Sequence, residues 1–68
     1  LSLHDALPIS FINYLTNLRI EKAKVLLKDV SFNIKEVGAS VGYTDSNYFT
    51  KVFKRAVGMS PSEYRGNI

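Results

Sequence analysis

Three helix starts and two glycine stops fall between Asn33 and Glu63, and they leave room only for short helices. In "NIKE", Asn33 is placed to cap a helix while Glu36, three residues on, reaches back to the cap's backbone N–H. Gly42 supplies the positive φ that ends this segment. Asp45 is a favoured N-cap for the next segment, which stops at Gly58. In "SPSE", Ser60 caps, Pro61 takes the first helical position and Glu63 returns to the cap. No stretch alternates apolar and polar residues as a half-buried strand would. Upstream, apolar residues recur at helical spacing from about Phe11 to Lys28. The expectation is an all-α fold, a small bundle of about four helices, the last of them a short lid on the core.

The faces of these helices differ in kind. On the first, Phe11, Tyr14, Leu15, Leu18, Val25 and Leu26 form one apolar stripe and Ile12, Ile20, Ala23 and Leu27 a second. Only a narrow polar strip of Asn13, Asn17, Glu21, Lys24 and Lys28 is left. Such a helix wants partners on two sides, and downstream residues supply one, so the chain reads as truncated at its N-terminus. On the second, Ile34, Val37 and Val41 share a face, with Gly38 beside them where a side chain would hold a crossing helix away. Tyr43 reads as the apolar plug of the following turn. On the third, Phe49, Val52, Phe53, Ala56 and Val57 line one face. Ser46, Asn47, Thr50, Lys51 and Lys54 line the opposite one, with Tyr48 and Arg55 at the borders.

Length and composition narrow the classes. With 68 residues, 46% of them hydrophobic, the chain buries one small core and forms one domain at most. It has no cysteine, so no disulfide framework, cysteine–zinc site or thiol nucleophile is available. No apolar run reaches membrane-spanning length. The formal charge of +3 permits a polyanionic partner without requiring one.

Residues 1–9, "LSLHDALPI", stand apart. The codons CTT TCC CTA CAC GAC GCT CTT CCG ATC encode this peptide, and that string resembles a sequencing-library adapter fused to an open reading frame. A native gene running upstream through these codons would refute this reading. Setting the segment aside removes Asp5 and the one histidine, His4, and leaves nine basic residues against five acidic ones.

Two short helices joined by a glycine turn, with a small residue at their crossing and a polar second helix, fit a helix-turn-helix whose free face enters a DNA major groove. At this point three ordered motifs, "YLTNLRIEKAKVLL", "IKEVGASVGYTDSNYF" and "FKRAVGMSPSEYR", resemble successive signatures of the C-terminal part of AraC/XylS-type bacterial transcription regulators. The resemblance covers Ser10 to Arg65. It implies a homeodomain-like helix-turn-helix in which residues 10–29 are a linker helix and residues 30–68 the second of two DNA-binding units, in a cytoplasmic, nucleoid-associated protein. The first unit would then account for the extra apolar stripe, and no effector-binding domain or small-molecule site belongs to this portion.

The resemblance places the second recognition helix on Asp45 to Ala56, with double-stranded DNA as partner. Lys51 would donate to guanine O6 or N7, Asn47 would pair with an adenine edge, and Ser46 would touch a base or a phosphate. Thr50, Lys54 and Arg55 are placed for phosphates, which fix register without reading sequence. The start of the second helix, Asn33 to Lys35, would meet another phosphate. Arg19, in the "LR" pair, either binds phosphate or braces the core. The sequence departs from the family pattern at Gly38, where alanine is usual, at Asn47, where serine is frequent, and at Lys51, where an arginine would offer a fork.

Blander readings compete with these. Phe49 and Phe53, opposite the polar face, are core residues and not base-stacking platforms. Tyr14, Tyr43, Tyr48 and Tyr64 pack with hydroxyls at the surface. Asp45 and Glu63 are helix caps and not a catalytic pair, and Ser60 and Ser62 have no histidine base once His4 is set aside. No cofactor, metal or enzymatic chemistry is expected. The alternative function is a helical protein-interaction module, or a half-domain without autonomous DNA binding, whose apolar linker face docks on the companion unit or on RNA polymerase.

Overall fold

The computed structural model of the chain describes residues 8–67. Among them are four helices and no strand: α1 (Ile9–Leu27), α2 (Ile34–Ser40), α3 (Ser46–Val57) and α4 (Pro61–Gly66). Most of the adapter-like segment, with His4 and Asp5, lies outside the described residues. Its last two residues open α1, so the first helix begins two residues before the expected Phe11. Pro8, with extended backbone, starts it without any side-chain cap, its carbonyl accepting from the N–H groups of Phe11 (3.0 Å) and Ile12 (3.1 Å). No helix among the described residues is long and apolar enough to cross a membrane.

The remaining boundaries follow the local signals. The capping box at α2 is complete, with Glu36 N–H donating to Asn33 Oδ1 (2.8 Å) and Asn33 N–H to Glu36 Oε1 (2.9 Å). At its other end Gly42 adopts φ 101°. The N–H groups of Gly42 and Tyr43 then donate to the carbonyls of Ala39 and Gly38, the Schellman pattern that satisfies the last turn. Asp45 Oδ1 accepts from Asn47 N–H (2.9 Å) to start α3. Gly58, at φ 93°, ends α3 with a bond from its N–H to the Lys54 carbonyl. Ser60 and Glu63 close the second capping box at α4, whose Pro61 is fully buried.

The core is Ile20, Ala23 and Leu27 of α1, Val37 and Val41 around α2, the plug Tyr43, and Phe49 and Phe53 of α3. A relay of aromatic contacts runs through it, from Tyr48 to Tyr43, Phe49, Phe53 and Tyr64, with successive ring centroids 5.6–5.9 Å apart. Gly38 sits directly on Phe49, and a methyl group there would stand 2.9 Å from the ring. The second apolar stripe of α1 supplies the core, and of the first only Leu26 packs against it. Phe11, Tyr14, Leu18 and Val25 remain exposed, while Leu15 and Leu26 are half-buried. Ala56, expected on the apolar face of α3, is exposed instead.

Candidate nucleic-acid interface

α3 is divided along its length. Phe49 and Phe53 are completely buried, and Val52 and Val57 pack partly against the same core. At about 100° per residue, Lys51 falls at the centre of the exposed sector. Asn47 and Lys54 lie to one side of it, Arg55 and Tyr48 to the other, and all five are exposed. The sector is rotated from the expected one towards Tyr48 and Arg55. Ser46 and Thr50 are half-buried at its flank, and the Thr50 hydroxyl donates to the Ser46 carbonyl at 2.9 Å. That proton is spent on the helix itself, although the hydroxyl oxygen retains acceptor capacity.

The charge on this sector is unbalanced. Lys51, Lys54 and Arg55 carry it, α3 contains no acidic residue, and the ion pair found among the described residues is elsewhere, between Glu21 and Lys24 at 2.8 Å. That bond to Glu21 holds the Lys24 ammonium above its ordinary pKa. The nearest carboxylate in sequence, Asp45, is engaged as the cap. Lys54 and Arg55 also sit in the last turn, where cations complement the helix dipole.

The other sequence-identified residues lie apart from this face. Asn33 has both its side-chain oxygen and its backbone N–H committed to the capping box, so Lys35, exposed, is the free cation at the start of α2. Arg19 is half-buried, and its guanidinium carbon lies 5.3 Å from the centroid of the Tyr43 ring. Arg19 and Arg55 line opposite walls of a cleft of about 480 Å³ between α1 and α3, together with Thr16, Thr44, Asp45 and Tyr48.

Arg65 was not singled out by the sequence, yet it closes the bundle. Its Nε donates to the Leu27 carbonyl (2.9 Å) and its Nη2 to that of Asp29 (3.2 Å), so α4 supplies the missing C-terminal partner of α1. A lone arginine after a capping box carries no sequence signal for a bond to a helix end so far along the chain. Tyr48, exposed beside Lys51 and tilted on Tyr43 at 5.8 Å, likewise joins the free sector.

A family model described as a helix-turn-helix domain matches residues 2–67. An uncharacterized HTH-type transcriptional regulator of Escherichia coli, YijO, is 47% identical over 57 residues, covering 84% of this chain and 20% of that protein. The arabinose operon regulatory protein of Salmonella typhimurium is 44% identical over 59 residues, 87% of this chain and 21% of the relative. The transcriptional activator RhaR of Yersinia pseudotuberculosis is 42% identical over 57 residues, 84% of this chain and 20% of RhaR. This chain thus spans about a fifth of the length of these relatives. No solved structure matches it.

Proposed function

Because the chain belongs to the AraC-type helix-turn-helix family of DNA-binding transcription regulators, we propose that α1 is the linker helix and α2 to α4 the second DNA-reading unit of such a regulator. α3 enters the major groove of double-stranded DNA with its exposed sector inward. The observation that carries this reading is the cationic face of α3, with no ion pair among the described residues, set directly opposite the two fully buried phenylalanines. Lys51, at the centre of that face, donates to guanine, and Asn47 pairs with an adenine edge. Ser46, at the flank, takes a base or a phosphate, while Lys54, Arg55 and Thr50 hold phosphates beside the groove. Lys35 and the start of α2 hold a further phosphate of the flanking backbone. The working location is the bacterial nucleoid.

Fluorescence-anisotropy titration of the 68-residue chain against a random duplex pool, at several salt concentrations, tests this reading. Binding is expected to weaken as salt rises, with sequence preference measurable at low salt. Lys51→Ala is expected to weaken binding and to relax the sequence preference, with a salt slope close to that of the unmodified chain, because the phosphates are held by other residues. An intact preference and an unchanged affinity in this variant would refute the assignment of α3.

A second reading is favoured by the exposed stripe of Phe11, Tyr14, Leu18 and Val25. In it α1 docks on another protein surface, the companion DNA-binding unit or RNA polymerase. Such a complex is not weakened by salt, unlike the DNA complex.

A further inference from the structure

The basic side chains of α1 are disposed in different ways. Lys22 and Lys28 are exposed, Lys24 pairs with Glu21, and Arg19 is half-buried with no carboxylate within 4 Å among the described residues. Its guanidinium instead lies on the turn of the helix-turn-helix. Besides its approach to the Tyr43 ring, its Cζ, Nε and Nη2 atoms come within 3.3–3.5 Å of where a Cβ on Gly42 would stand. Gly42 therefore serves twice, by adopting φ 101° and by leaving the space in which the guanidinium rests. Tyr43 passes the contact on, stacked on Phe49 at 5.9 Å and tilted on Tyr48 at 5.8 Å, in the first turn of α3.

We propose that Arg19 is a positioning residue for DNA reading, which acts through Tyr43 to fix the angle between α1 and α3 and holds no phosphate itself. The side chains that α1 gives to the core are aliphatic, and burial of apolar surface has no direction, while the directional Arg65 bonds tie the end of α1 to α4 and not to α3. A planar guanidinium over a ring does have direction. Base-edge hydrogen bonds in the groove tolerate little displacement, so a small rotation of α3 costs sequence preference before it costs electrostatic attraction. The inference rests on the reading of α3 as the recognition helix.

The test uses the 68-residue chain with Arg19→Gln, Arg19→Lys, Tyr43→Leu and the double variant Arg19→Gln, Tyr43→Leu. One readout is the ratio of affinities, at low salt, for a duplex enriched from a random pool by the unmodified chain and for a scrambled duplex, together with the salt slope. The other, free of DNA, is the α1–α3 angle from amide residual dipolar couplings. Both Arg19 variants are expected to lose roughly fivefold of the preference, the worth of one stacked cation. Their salt slopes stay at that of the unmodified chain, and their α3 turns as a unit relative to α1. The double variant loses no more than the worse single variant, because both residues act along one route.

A slope lowered by about 0.9 with preference intact would make Arg19 a phosphate ligand and overturn the proposal. So would additive losses in the double variant, or an unchanged angle in Arg19→Gln. If Arg19→Gln fails to fold, Arg19→Lys and Tyr43→Leu carry the comparison, and unchanged preference in both sinks it. Absence of DNA binding by the unmodified chain would refute the reading of α3 alone, since the couplings still decide whether Arg19 sets the angle.

Discussion

Gly38 shows two effects of one methyl group with opposite signs. Alanine would improve the helix propensity of α2 by about 1 kcal/mol. The same methyl would stand 2.9 Å from Cγ and Cδ2 of Phe49, a ring with no exposed surface and therefore nowhere to go. Overpacking of a tight core costs about 1–3 kcal/mol, so the packing effect wins. Gly38→Ala is expected to lower stability by about 1 kcal/mol net, seen as a lower urea midpoint at constant m-value. A raised midpoint would mean that α2 and α3 separate at little cost. The need for a small residue at this crossing was legible in the sequence, because Gly38 sits among Ile34, Val37 and Val41. Its partner was not, since nothing local says that Phe49 of another helix points at it. The clasp of Arg65 on the end of α1 was hidden for the same reason.

At the scale of the helices, carboxylates bonded in a connecting turn and in a capping box make stability depend on pH in a definite direction. The Asp29 carboxyl is held below its ordinary value by the Ser31 hydroxyl, which donates at 2.6 Å, and by the Ser31 N–H. The Glu63 carboxyl is lowered by the Ser60 N–H, then by the Ser60 side chain. A carboxylate whose folded pKa is depressed contributes stability that is present above its unfolded pKa and is lost as pH falls through the folded one. The thermal midpoint is therefore expected to hold steady down to about pH 5 and then to fall. In an Asp29→Asn, Glu63→Gln variant the fall should be shallower, and an identical fall would place the linkage on other carboxylates. Both capping boxes and both glycine stops were readable because each is written within one turn of sequence. The start of α1 was not, because Pro8 offers no side-chain cap. The free sector of α3 was readable in period but not in phase. That Ser46 and Thr50 are half-buried and Ala56 is open depends on how the other three helices pack on α3, which no local pattern states.

At the scale of the whole chain, two surfaces with opposite physics remain open, the cationic sector of α3 and the apolar stripe of α1. Phe11, Tyr14, Leu18 and Val25 are 46%, 62%, 49% and 64% exposed, a row of large apolar side chains along one helix that water does not favour. The unmodified chain is expected to self-associate through this row as concentration rises, whereas a Phe11→Ser, Leu18→Ser variant stays monomeric in sedimentation-velocity runs. Neither residue belongs to the buried core, so the variant keeps its fold. Salt separates the surfaces. Ammonium sulfate strengthens apolar burial and should drive the association, while any added salt weakens attraction to phosphates. The serine variant should therefore lose the sulfate-driven association and retain the salt-sensitive attraction to DNA, and Lys51→Ala should keep the association while losing sequence preference on DNA. If the serine variant associates as the unmodified chain does, the contact lies elsewhere, and the stripe of α1 is not the surface that seeks a partner.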